Sequence, residues 1–112
     1  MGDLMGSDIY HKFIEEFGPL IIETYRSKLL DQTFGDKVVY YVGVDDMSAS
    51  IRLHAVVRAD IAEEFTVVGA PSFFPGAEED DLIQQLVSAF ALDEEEARRR
   101  LQKAGLLGGA DG

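Results

Sequence analysis

At 112 residues and 46% hydrophobic content, the chain is long enough for one domain with a modest core and too apolar to be disordered. It has no cysteine, which excludes disulfides, thiolate metal sites and cysteine nucleophiles. Its formal net charge of −11 opposes contact with nucleic acid or anionic membrane and favours basic partners or plain solubility.

The first seven residues, Met1 to Ser7, carry neither a basic region nor a long apolar run, so they read as a flexible lead without a signal sequence. Ser7 is placed to cap a helix whose apolar residues Ile9, Phe13, Ile14 and Phe17 share one face. Gly18-Pro19 interrupts it, giving either two angled helices or one kinked helix. Leu20, Ile21, Ile22, Tyr25 and Leu29 continue the amphipathic pattern to about Leu30. Asp31 to Asp36 reads as a turn.

Val38 to Val44 is β-branched and aromatic and predicts a strand. Asp45, Asp46 and Ser48 make a hairpin connection to a second strand, Ala49 to Arg58. There Ile51, Leu53, Ala55 and Val57 face one way, and Arg52, His54, Val56 and Arg58 the other. That alternation belongs to an antiparallel sheet with one face on the core and one facing water. Asp60 to Glu64 reads as a turn or short helix, and Phe65 to Val68 as a third strand. Gly69 to Gly76, with its glycines and prolines, predicts irregular backbone.

A helix follows from Glu78 to about Ala91, with Leu82, Ile83, Leu86, Val87 and Phe90 on one stripe. Asp93 followed by Glu96 resembles a capping box for a last helix. That helix turns Ala97, Leu101 and Ala104 inward and ends at Gly105, with Leu106 or Leu107 folding back. The order helices, strands, helices predicts an α+β fold: N-terminal helices, a three-stranded antiparallel sheet, and a C-terminal helix pair packed on one sheet face. Residues 8–107 form a single domain, and 108–112 a flexible C-terminal tail. The predicted core is Phe13, Phe17, Ile21, Tyr25, Val42, Ile51, Leu53, Val57, Leu82, Ile83, Leu86, Phe90 and Leu101.

The charge is unevenly spread. Between Arg58 and Arg98 there is no lysine or arginine but there are eleven carboxylates. Glu78 to Asp81 open a helix, where each acid gains at most about 0.3–1 kcal/mol from the macrodipole. Glu94, Glu95 and Glu96 precede Arg98, Arg99 and Arg100 by four residues, a pairing that contributes about 0.2–0.5 kcal/mol each. Asp60, Glu63 and Glu64 fit a solvated turn, and the helix dipole explains only half of the Glu78, Glu79, Asp80, Asp81 cluster. That cluster lies just after Phe73 and Phe74, two adjacent aromatics that cannot both point inward as easily as alternating ones. These six residues are the candidate partner-binding site.

Catalytic and metal signatures are missing. No serine or threonine sits in a nucleophile elbow. The one His–carboxylate pair at helical spacing, His11 with Glu15, is too little for a metal site, so neither metal nor cofactor is expected. The last two helices suggest a helix-turn-helix, but acids crowd the start of the second, where base contacts would be made. No stretch matches a family motif. In layout alone the small, acidic helix–sheet–helix chain is similar to bacterial secretion chaperones, and no residue is carried over.

The expected function is that of a non-enzymatic acidic interaction protein (adaptor, chaperone or inhibitor) binding a basic or apolar protein surface. The alternative is a small ligand-binding domain or enzyme, its cavity between sheet and helices lined by Tyr25, Tyr40, Tyr41, Arg52 and His54. A cytoplasmic location fits the lack of cysteine, no stretch approaches the roughly 20 apolar residues of a membrane span, and a homodimer through an open sheet edge is compatible with either reading.

Overall fold

The computed structural model describes residues 2–58, 60 and 62–107, without the side chains of residues 2–7. The expected tail 108–112 lies outside the described residues. The first helix, α1, spans Gly2–Tyr25. It therefore starts before Ser7, and the backbone of residues 2–7 is helical. Gly18-Pro19 does not interrupt it either. Proline has no N–H for the Glu15 carbonyl, but Phe17 and Ile21 on either side are fully buried, and their packing keeps the helix running. The break falls at Arg26-Ser27. The Ser27 hydroxyl accepts the Leu30 N–H at 3.1 Å and caps α2, Lys28–Phe34. The expected turn from Asp31 is thus helical as far as Phe34, and a 3₁₀ turn, Gly35–Lys37, leads into the sheet.

The sheet contains β1 (Val38–Asp45), β2 (Ser50–Val57) and β3 (Glu63–Thr66) in the order β1-β2-β3, antiparallel throughout. Val42 stands opposite Leu53, Val44 opposite Ile51, and Ala55 opposite Phe65. At the first hairpin Asp45 Oδ1 accepts the Met47 N–H at 3.1 Å, and Tyr10 of α1 donates to the Ala49 carbonyl at 3.2 Å. β3 begins two residues before the predicted start, so Glu63 and Glu64 belong to a strand and not to a turn. Pairing with β2 overrides the weak strand preference of glutamate.

As expected, Ile51, Leu53, Ala55 and Val57 are buried on one face of β2. That face is covered by α1 and by the C-terminal helices α3 (Glu79–Phe90) and α4 (Glu94–Lys103). Phe73, in the irregular stretch before α3, extends this layer. It exchanges both backbone hydrogen bonds with Ile51, at 2.7 and 2.9 Å. At the α4 start Asp93 accepts the Glu96 N–H at 2.7 Å. At its end Gly105 has φ +77°, its N–H reaches the Gln102 carbonyl, and the Leu106 N–H reaches that of Leu101, a Schellman closure that lets Leu107 fold back into the core.

Ten of the thirteen predicted core residues are buried; Tyr25, Val42 and Phe90 are half-buried. Ala55, Val67, Phe73, Ala97 and Leu107 join them from outside the predicted core set.

Candidate functional site

Phe73 and Phe74 point in opposite directions. Phe73 is 1% exposed, its ring 5.6 Å from those of Phe13 and Phe90 and nearly parallel to the latter. It is a core residue, which removes it from the candidate contact surface: its two bonds to Ile51 fix the backbone so that the side chain falls inward. Phe74 is 42% exposed. The Gln85 side-chain amide holds its backbone, accepting the Phe74 N–H at 2.8 Å and donating to its carbonyl at 3.4 Å.

The acidic cluster is divided as well. Glu79 is paired with Arg98 of α4. Glu78 occupies the helix N-cap without a side-chain cap bond, and Asp80 and Asp81 are exposed in the first turn. What remains at the surface is Phe74 with Glu78, Asp80 and Asp81. Of the three expected pairs on the last helix, only Glu96 with Arg100 forms, at 3.0 Å. Arg99 also turns to Glu96, and Glu94 accepts from Gln84 at 3.1 Å, so these acids tie α4 to itself and to α3.

The five residues proposed for one cavity between sheet and helices are not brought together. Tyr25 sits at α3, its hydroxyl donating to the Ala89 carbonyl at 2.5 Å. Tyr40 lies under α2, where its hydroxyl accepts the Ser27 N–H at 3.0 Å and donates to Asp31 Oδ1 at 2.8 Å. Burial and the Asp31 carboxylate raise its pKa. Asp31 is held below the ordinary carboxylate range, chiefly by its hydrogen bond from Arg26 and also by that from Tyr40.

Tyr41, Arg52 and His54 occupy the opposite, uncovered face. Tyr41 stacks on His54, ring centres 4.9 Å apart, and its hydroxyl reaches Glu64 across the width of the sheet. That bond raises the Tyr41 pKa. Gly43 makes room for the leaning ring: a Cβ there would meet Tyr41 Cε2 at 3.0 Å. Arg52 Nε is buried with no hydrogen-bond partner among the described residues.

Shallow clefts mark the surface of the described residues. One of about 260 Å³ lies between Tyr25, Pro71 and Ser88, and one of about 330 Å³ between Tyr10, His11 and Asp46. Another, about 250 Å³, runs between α2 and the edge of β3. Leu29, Leu30, Phe65 and Val68 line it, with Leu29 72% and Val68 97% exposed. These four were not singled out from the sequence. The available signal was Val67-Val68, two adjacent apolar residues at the end of a strand, of which only one can turn inward.

Among the described residues no three His, Asp or Glu side chains gather as metal ligands, and no helix is long and apolar enough to cross a membrane. Phe65, Phe74, Leu29 and Val68 are exposed large apolar side chains on these surfaces. No family model, no curated protein and no solved structure matches this chain.

Proposed function

We propose that this is a non-enzymatic, acidic interaction protein whose work is to bind a basic or apolar surface of another protein. The supporting observation is the occurrence of exposed large apolar residues in acid-rich segments of a chain of net charge −11: Phe65 next to Glu64 in β3, and Phe74 in the segment that leads into the exposed carboxylates at the start of α3. Charge of this sign accelerates and orients encounter with basic proteins, while apolar anchors supply most of the affinity. The ligand-binding or enzymatic alternative has weaker support, because its five residues are divided between the two sheet faces. A cytoplasmic site of action belongs to the same proposal and fits a chain without cysteine.

The test is affinity capture from native lysate at low and at moderate salt, using the intact chain and two surface variants, Phe74→Ala with Asp80→Asn, and Leu29→Ser with Val68→Ser. Proteins of basic composition should be retained, released by salt, and lost with at least one variant. Retention of nothing salt-sensitive, or of the same set by all three, rejects the reading.

A further inference from the structure

We propose that the open edge of β3, together with the cleft between it and α2, receives an extended segment of a partner protein in which large apolar residues alternate with lysine or arginine. The inference rests on the reading of the chain as an acidic interaction protein and gives that reading a place and a geometry.

The hydrogen-bond phase of the sheet comes first. The Val67 N–H donates to the Leu53 carbonyl at 2.9 Å, and Phe65 stands opposite Ala55. Bonding groups alternate along an antiparallel strand, so the odd-numbered residues of β3 direct their N–H and C=O groups at β2. Glu64 and Thr66 therefore direct theirs outward. Among the described residues β3 pairs with β2 alone, which leaves those groups as a template for one more strand.

Side-chain alternation then decides what such a strand must carry. One set of its side chains falls on the helix-covered side, over Leu29, Leu30 and Phe65, where the cleft of about 250 Å³ takes apolar groups. The other set falls on the open side beside Glu64. Glu63 and Glu64 stand on opposite faces of β3, so a cation on either side of the incoming strand meets a carboxylate.

Charge also decides between occupants. A second copy of this chain would bring Glu63 and Glu64 of both copies to one edge between two molecules of charge −11. A basic segment removes that repulsion. Nucleic acid offers neither strand hydrogen bonds nor the right sign.

The probe is a capped synthetic peptide of eight residues alternating leucine and lysine. Its controls are the same peptide with a central proline and a leucine–glutamate version, each titrated into the full chain and followed by amide NMR and hydrogen exchange. The leucine–lysine peptide should slow exchange of the Glu64 and Thr66 amides by about tenfold or more, the mark of newly formed strand pairing. Both controls should fail. Leu29→Ser with Val68→Ser should weaken binding, and Phe74→Ala with Asp80→Asn should not.

Binding that shifts only residues around Phe74 and Asp80 overturns the β3 placement and leaves the interaction reading standing. So does failure of every peptide while lysate capture still yields a salt-sensitive partner. Protection of Glu64 and Thr66 without peptide, with a dimer by light scattering, assigns the edge to a second copy and also overturns the proposal.

Discussion

The neighbours Phe73 and Phe74 differ in what their loss should do. Phe73 is enclosed by Phe13, Phe90 and Ile51, so Phe73→Ala removes transfer energy and leaves a cavity, a cost of about 3–5 kcal/mol in chemical denaturation. Phe74→Ala should stay within roughly 0.5 kcal/mol of the parent, as is usual for surface changes. A large effect at Phe74 would mean its ring supports the fold instead of facing partners. Gly43 permits a second residue-level test. In Gly43→Ala the new methyl meets Tyr41 Cε2 at 3.0 Å, so the ring must give by a few tenths of an ångström against His54. The ring-current shift of the His54 protons should change measurably in the NMR spectrum; an unchanged shift would show that the stack absorbs the methyl without moving. Asp31 permits a third. A carboxylate held below its ordinary value of 3.8 favours folding above that pH and loses its contribution as the pH falls through the lowered value. Asp31→Asn should therefore lower the denaturation midpoint at neutral pH, and the gap should close as both proteins are acidified well below 3.8. A gap independent of pH would assign the loss to packing instead of to the pairing with Arg26.

At the scale of elements, the caps can be tested directly. Asp93 accepts the Glu96 N–H at 2.7 Å, and Asp93→Ala should destabilise the protein by about 0.5–2 kcal/mol, with Asp93→Ser recovering most of it. Equal loss in both variants would point to the charge and not to the cap. This cap was legible in the sequence because capping is a local bond between residues three apart. The Gly105 closure and the inward face of β2 were legible for the same kind of reason, since both depend on short-range geometry. The misplaced boundaries have the opposite cause. Pro19 breaks an isolated helix, yet α1 continues because Phe17 and Ile21 are held by distant residues. Glu63 and Glu64 make a poor strand alone, and β2 recruits them. The pairs on α4 were foreseen as local, whereas Arg98 found Glu79 of the neighbouring helix. The candidate site was legible only in part. The adjacent aromatics put both Phe73 and Phe74 in the expected contact surface, and only the bonds to Ile51, more than twenty residues away, turn Phe73 inward and leave Phe74 outside.

For the whole molecule, the question is which electrostatic effect dominates stability. The local ion pairs, such as Asp8 with Lys12, Arg26 with Asp31 and Glu96 with Arg100, are at the surface and contribute about 0–1 kcal/mol each. Salt weakens them. Against them stands a net charge of −11 within 112 residues, much of it between Arg58 and Arg98 with no base to offset it. That repulsion acts between charges at all separations within a screening length, so it has many more partners than any single pair. Raising ionic strength from about 0.01 M to about 0.15 M shortens the Debye length from about 30 Å to about 8 Å. Across that change the long-range repulsion is largely removed, while pairs in direct contact keep most of their attraction. The melting temperature should therefore rise with sodium chloride. A fall would show that the few contact pairs outweigh the collective field. It would also weaken the case that the surplus acids are held, at a cost in stability, for a basic partner. Such a partner should reproduce the effect of salt and exceed it, stabilising the chain at low ionic strength by supplying the missing cations.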